Sequence, residues 1–147
     1  MAIRPFFHVG IIVENLEAAM AELSDALGVV WRTPHVSQYG DWTIKVVYSR
    51  GEAPYIELIE GGQGGPWDVS KGSHIDHIGF YSEDVVEEAE RLVKAGLPID
   101  FDPASVGRGH GFCYHKALAC GVRIELIDAS RKASHAPFLS EAVGGDD

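Results

Sequence analysis

The sequence has few cysteines, few basic residues and no long apolar run, and each shortage argues against a class of protein. Two cysteines, Cys113 and Cys120, are too few for a disulfide scaffold, and their spacing matches no redox or zinc motif. With 12 basic and 22 acidic residues the net charge is −10, which argues against nucleic acid and against an anionic membrane surface as partners. No apolar run is long enough to span a bilayer and no signal core follows Met1, so we expect a cytoplasmic protein.

What the sequence does contain is an internal repeat. Residues 76–80, Asp-His-Ile-Gly-Phe, resemble residues 7–11, Phe-His-Val-Gly-Ile. Residues 124–128 resemble residues 56–60, since both read Ile-Glu-Leu-Ile followed by an acidic residue. The two histidines lie 69 positions apart and the two glutamates 68 apart. A unit of about half the chain therefore occurs twice.

Each copy is predicted to fold as βαβββ. The helix of the first copy is capped by Asn15 and ended by Gly28, and that of the second is capped by Asp84 and ended by Gly96. The predicted strands of the first copy lie at 6–13, about 30–37, about 43–49 and about 54–60. Those of the second copy lie at 75–81, from Pro98 onward, and at 111–116 and 122–128.

The length of 147 residues suits one compact domain. We predict a single α+β domain over residues 1–129, with modules at 6–60 and 75–129. The glycine-rich segment 61–74 would link them, and residues 130–147 would form a C-terminal tail.

The histidine of each copy is expected to face away from the helix of its module, because side chains alternate across a strand. Phe7 is expected to pack on the helix, whereas His8 and Gly10 face the other way, and His77 and Gly79 repeat this pattern. Each glycine leaves space beside a histidine, as a cavity would need.

A glutamate stands in mid-strand between apolar residues in each copy, at Glu57 and Glu125. Burying a carboxylate there is costly without a partner, and metal coordination is one compensation. A lone strand histidine is more often a core residue, and a lone strand glutamate usually faces solvent. Four such residues at matching repeat positions favour a site for a divalent transition metal, with positions left open for substrate or water.

These residues resemble the vicinal oxygen chelate superfamily, which includes glyoxalase I, methylmalonyl-CoA epimerase, extradiol dioxygenases and bleomycin-resistance proteins. The resemblance covers about residues 6–129. It implies two βαβββ modules in a curved mixed sheet, a half-barrel, with one divalent ion (Zn, Ni, Co, Mn or Fe) in its concave face, and it implies a homodimer. The ligands that it implies are His8, Glu57, His77 and Glu125.

The resemblance to particular branches is divided. Residues 112–116, Phe-Cys-Tyr-His-Lys, with Gly-Val-Arg-Ile-Glu-Leu at 121–126, resemble the epimerase ending. The glutamate at position 57 resembles the ligand set of glyoxalase I, because epimerases usually carry glutamine at this second ligand position. The resemblance implies an isomerase or epimerase that removes a proton next to a metal-chelated carbonyl. Glu125 would be the base and Glu57 its counterpart on the opposite side, and the substrate would be a small oxygenated carbonyl compound, an acyl-CoA being one candidate.

Alternatives remain open. The chain could be a glyoxalase I-like lyase for a 2-oxoaldehyde thiol adduct, an extradiol-type dioxygenase, or a drug-binding resistance protein. The modules could meet within one chain or across a dimer. The glycine-rich stretch 107–111 is either a flexible hairpin or a substrate loop, in which Arg108 or Lys116 holds a carboxylate or phosphate. Three histidines, His35, His74 and His135, are interpreted as surface residues. Six aromatic residues line a pocket or belong to the core: Trp31, Tyr39, Trp42, Trp67, Phe112 and Tyr114.

Overall fold

The structure, a computed structural model, describes residues 4–131 of the chain. Most of the predicted tail, residues 132–147, therefore lies outside the described residues, and the predicted domain limits stay a prediction. The elements of the first module are β1 (Phe6–Val13), α1 (Leu16–Leu27), β2 (His35–Tyr39), β3 (Trp42–Tyr48) and β4 (Tyr55–Glu60). Those of the second are β5 (His74–Ser82), α2 (Val85–Lys94), β6 (Ile99–Phe101), β7 (Phe112–Lys116) and β8 (Arg123–Asp128).

The eight strands form one mixed, curled sheet in the order β2-β3-β4-β1-β5-β8-β7-β6. The first strands of the two modules, β1 and β5, pair antiparallel at its centre. The last strands, β4 and β8, run parallel to β1 and β5 respectively. The predicted α+β half-barrel is confirmed, and the two modules meet within one chain.

Local sequence signals set the helix ends. The Asn15 side chain accepts a hydrogen bond from the Ala18 N–H, and Gly28 ends α1 with φ of 72°. The Asp84 carboxylate caps α2 in the same way, but this helix ends at Ala95, one residue before the predicted Gly96. The predicted N-terminal caps of both helices and the predicted end of α1 are therefore present in the structure, and the end of α2 differs by one residue.

Two local predictions are wrong. The strand predicted at 30–37 begins only at His35, because Pro34 has no N–H for a sheet ladder and Trp31 makes a single bridge, to Ser49. Phe7 does not pack on α1. The pairing of β1 with β5 shifts register beside Phe7, and this side chain joins the aromatic core of the concave face, next to Tyr48.

The two faces of the sheet carry separate cores. The helical face of the first module packs α1 through Leu16 against Val47 and Leu58, which are almost fully buried. The concave face carries an aromatic cluster in which the Trp67 indole donates to the Tyr114 hydroxyl at 3.1 Å. Trp67 belongs to the segment that links the modules, so this segment closes over the concave face.

Candidate metal centre

The structure brings the four predicted ligands together on the concave face. His8 Nε2 lies 3.0 Å from His77 Nε2, 3.3 Å from Glu57 Oε1 and 2.8 Å from Glu125 Oε2. His77 Nε2 lies 3.0 Å from Glu57 Oε1 and 3.1 Å from Glu125 Oε2. Both imidazoles are fully buried and the two glutamates are buried as well. Residues separated by up to 117 positions thus form one cluster.

Strand pairing explains this convergence, because it places a glycine beside each histidine. Gly10 is registered with His77, and Gly79 with His8. A Cβ atom on Gly10 would lie within 3.0 Å of three atoms of the His77 ring, and one on Gly79 would meet the His8 ring in the same way. The glycines do leave space, but this space is not part of a cavity, because the imidazole of the other module fills it.

The internal repeat extends further than the sequence revealed. One row across the sheet reads Tyr48, Glu57, Gly10, His77. The matching row reads Tyr114, Glu125, Gly79, His8. Each module therefore supplies a tyrosine, a glutamate and a glycine to one row, and the histidine comes from the other module.

The two tyrosines break this symmetry. The Tyr48 hydroxyl donates a hydrogen bond to Glu57 Oε2, whereas the Tyr114 hydroxyl accepts from Trp67. Among residues 4–131, no hydroxyl group donates to Glu125. One glutamate of the pair is therefore fixed by a tyrosine and the other is not.

The spacing of these groups fits one divalent ion. Two ligand atoms each about 2.1 Å from a metal lie about 3.0 Å apart at a right angle and about 3.4 Å apart at the tetrahedral angle. The separations of 2.8 to 3.3 Å between ligand atoms match adjacent ligands of one ion. Two imidazoles and two carboxylates suit Zn, Ni, Co, Mn or Fe. The group His8, Glu57, His77 and Glu125 could therefore hold a metal.

The charges of the four groups stabilise one another. Burial lowers the pKa of His8, but the nearby carboxylates of Glu57 and Glu125 have a larger, opposite effect. The pKa of His8 is therefore raised to about 9. Burial raises the pKa of both glutamates, and the charged imidazoles more than reverse this effect, so that the pKa of Glu57 lies well below its ordinary value. Without a metal, protons on the histidines thus balance the two carboxylates.

His77 has a second anchor that His8 lacks. Its Nδ1 lies 2.7 Å from Asp76 Oδ2, which also accepts from Arg123 Nη2 at 2.6 Å. The Arg123 guanidinium in turn lies over the Tyr114 ring, 4.0 Å from its centre. By contrast, His8 Nδ1 is buried and finds no hydrogen-bond partner among residues 4–131. The Asp76 carboxylate fixes the ring orientation of His77 and directs its Nε2 towards the cluster.

A cavity of about 260 Å³ opens from the cluster, and Glu57 and Glu125 form part of its wall. A larger cavity of about 920 Å³ lies beside α2 and contains none of the four residues. The carboxylates in the lining of the larger cavity do not belong to the buried group of two histidines and two glutamates, so we assign the chemistry to the smaller cavity. Four of the six aromatic residues singled out in the sequence line this cavity: Tyr39, Trp67, Phe112 and Tyr114.

The structure agrees with some of the remaining interpretations of the sequence and not with others. Arg108 lies at the cavity, whereas Lys116 pairs with Asp100 outside it. His35 is not a surface residue but a half-buried part of the cavity wall, and burial lowers its pKa. His74 is exposed, as predicted, and His135 lies outside the described residues. Sequence reasoning missed Tyr48 and Asp76, and it also missed Arg131. Of these, only Asp76 carried a signal, its position next to a repeat histidine.

No helix within residues 4–131 is long and apolar enough to cross a membrane. The expected cytoplasmic location stays a prediction.

Comparison with known proteins gives a family and a fold. The sequence model of the family described as Glyoxalase/Bleomycin resistance protein/Dioxygenase superfamily matches residues 7–114. No curated protein sequence matches significantly. Methylmalonyl-CoA epimerase from Mycobacterium tuberculosis has a similar structure, with a TM-score of 0.67 at 20% identity over 91% of this chain and 95% of that one.

Two further solved structures are similar. Methylmalonyl-CoA epimerase from Streptomyces coelicolor, in complex with 2-nitronate-propionyl-CoA, gives a TM-score of 0.63 at 20% identity over 87% of this chain and 99% of that one. A variant of 4-hydroxymandelate synthase from Streptomyces coelicolor gives 0.60 at 16% identity over 85% of this chain and 49% of that one. At these identities the likeness shows the fold alone.

Proposed function

The chain belongs to the glyoxalase/bleomycin resistance protein/dioxygenase superfamily, and from this premise we propose that it is a divalent-metal-dependent isomerase or epimerase. It removes a proton from a carbon next to a carbonyl group. The ion is held by His8, Glu57, His77 and Glu125. The observation that carries this proposal is the burial of two imidazoles and two carboxylates within 4.8 Å of one another at a cavity.

When bound, the divalent ion supplies a Lewis acid for the carbonyl oxygen of the substrate. The chain's own residues then handle the proton. Glu125 is the base, because no tyrosine restrains its carboxylate. A positioned general base contributes roughly 10² to 10⁴ in rate.

Glu57 is the counterpart of Glu125 on the opposite side of the substrate carbon. Burial and the charge of Glu57 raise the pKa of Tyr48 well above its ordinary value, so the Tyr48 hydroxyl stays protonated and remains a donor to Glu57. Glu57 is therefore oriented before the substrate arrives. The aromatic wall formed by Phe112 and Tyr114 keeps water away from the reacting carbon.

A glyoxalase I-like lyase for a 2-oxoaldehyde thiol adduct is the second candidate. Glu57 favours it, because the sequence resembles glyoxalase I in carrying a glutamate at this ligand position. Both reactions begin with removal of a proton next to a carbonyl group, so the same base serves either. The similar epimerase structures support the first candidate and an acyl thioester as one substrate.

The test is solvent proton exchange. The metal-loaded protein is incubated in deuterated water with a 2-methylacyl thioester or with methylglyoxal hemithioacetal, and NMR follows loss of the proton next to the carbonyl. Exchange or inversion of the thioester supports an epimerase, and conversion of the hemithioacetal to a thioester supports the lyase. No exchange with either substrate class by a protein that holds its metal would refute both.

Glu125→Gln separates the roles at the site. We expect it to lose about 10²-fold or more in exchange rate while the protein still binds metal. Glu52→Gln, on an exposed residue away from the cavity, is the control and should exchange normally. Full activity of Glu125→Gln would show that another group is the base.

The homodimer stays a prediction. All four proposed ligands come from one chain, so the proposed metal site needs no ligand from a partner.

A further inference from the structure

We propose that the substrate carries an anionic group remote from its reacting carbonyl, and that Arg108 and Arg131 bind this anion at the far end of the cavity. The proposal rests on the proposed function, because it takes the carbonyl end of the substrate to lie at the four-ligand cluster. The anion is a carboxylate or a phosphate, since both accept hydrogen bonds from a guanidinium group.

Arg108 is the first observation. Its guanidinium lies over the Tyr39 ring, 5.1 Å from the ring centre, in the wall of the cavity. Within residues 4–131, no carboxylate forms an ion pair with Arg108, although the chain has 22 acidic residues to 12 basic ones. Arg91 and Arg123, by contrast, both pair with carboxylates. A cation left without a carboxylate in so acidic a protein, and placed at a cavity, suits an external anion.

Arg131 brings a second guanidinium to the same end. It lies against Gly111, where a Cβ atom would fall 2.6 Å from its Nε and closer still to two further guanidinium atoms. Burial raises the pKa of Tyr39, and the charges of Arg108 and Arg131 both oppose that rise. Both arginines therefore act on the same phenol, and the missing side chain at Gly111 is what lets Arg131 reach it.

A series of aromatic rings joins this cationic end to the cluster. The Tyr39 ring lies 5.4 Å from that of Phe112, which lies 5.4 Å from that of Tyr114, which lies 4.9 Å from the His77 ring. The rings of Phe112 and Tyr114 therefore lie between the cluster and the Tyr39 ring that Arg108 covers. Tyr39 also lies within electrostatic reach of Glu57 and Glu125, so one small molecule can reach both the arginines and the cluster.

The charge balance of the cavity points the same way. A divalent ion held at the inner end would be neutralised by the two glutamates, with the histidines neutral. Arg108 then adds to the cavity wall a positive charge that no carboxylate within residues 4–131 pairs with, in a protein whose net charge is −10. An anionic group on the substrate would supply the counter-charge of Arg108.

Chelating probes test the proposal by binding, without turnover. Isothermal titration of the metal-loaded protein compares alkyl hydroxamates of increasing chain length, each ending in a methyl, a carboxylate or a phosphonate group. The hydroxamate binds the metal in every case, so only the far end differs. At one chain length the anionic probe should bind at least about 10-fold more tightly than its methyl partner, and the preference for carboxylate or phosphonate identifies the anion.

Two variants assign the effect to the arginines. Arg108→Gln should abolish most of this advantage and leave the affinity of the methyl-ended probes unchanged. Gly111→Ala should reduce the advantage by displacing Arg131 without altering any charge. Arg91→Gln and Gly62→Ala are the controls, because Arg91 lies on α2 and a Cβ on Gly62 meets no atom within 4 Å.

The possible results distinguish this proposal from the proposed function. Equal affinities of the methyl, carboxylate and phosphonate probes at every chain length would overturn the anion site while leaving the metal site intact. An advantage that survives Arg108→Gln and Gly111→Ala would also overturn it. Failure of every hydroxamate to bind would instead overturn the metal site, and this proposal with it.

Discussion

Replacing Gly10 by alanine tests how tightly the metal site is built. The added methyl group would lie within 3.0 Å of three atoms of the His77 ring, and the farthest of the three, Nδ1, would be 2.6 Å away. Ordinary contact begins at 3.4 Å. The ring must therefore retreat by at least about 0.8 Å, since its two nearer atoms need more room still, or the strand must move. Neither is easy at the centre of the sheet, where overpacking costs about 1–3 kcal/mol.

The size of this shift decides the expected result for the metal. Metal–ligand distances tolerate about 0.2 Å, so a displacement of His77 by several times that amount removes Nε2 from the ligand set. We expect the Gly10→Ala variant to bind metal about 10- to 100-fold more weakly than the unchanged protein. Its metal-free form should also be less stable, by about 1–3 kcal/mol.

Two measurements check this prediction. Competition with a coloured chelator gives the metal affinity, and thermal denaturation with and without metal gives the stability. Gly62→Ala is the matched control, because it adds the same methyl group where no atom lies within 4 Å and φ is not positive. If Gly10→Ala bound metal as tightly as Gly62→Ala and melted with it, the close approach of Gly10 to His77 could not be what positions the ligand.

Two further predictions concern protons and the second anchor. The folded-state pKa of His8, about 9, lies above its ordinary 6.5, so its stabilising effect is complete below pH 6.5 and is lost as pH rises to 9. Across this pH range the free energy of unfolding of the metal-free protein should fall by up to about 3 kcal/mol, and that of the metal-bound protein should not. If the melting temperatures of the two forms changed with pH in the same way, the prediction would be contradicted. Asp76→Asn should weaken metal binding about 10- to 100-fold. Asp100→Asn is the control and should not, because Asp100 contacts Arg123 but not His77. If both variants lost equal metal affinity in a chelator competition, the effect would come from Arg123 and not from the contact of Asp76 with His77.

Much of the fold and site followed from local patterns. Asn15 and Gly28 mark helix ends through their own hydrogen bonds and backbone freedom, and these are properties of a few neighbouring residues. The repeated histidines and glutamates were recognisable because each stands at the same place in an apolar strand pattern. The strand predicted to begin near residue 30 begins only at His35, because Pro34 interrupts the apolar pattern. The prediction for Phe7 was wrong because a register shift between two strands cannot be read from the residues around it.

The sequence by itself determined which four side chains face the same side of a sheet, because alternation along a strand and the internal repeat are both linear properties. Only the tertiary structure decided that the histidine of each module lies against the glycine of the other. It alone showed that Tyr48 holds Glu57 while Tyr114 turns to Trp67. These contacts depend on strand register and on side chains from distant parts of the chain. The spacing of residues along the sequence determines neither of these.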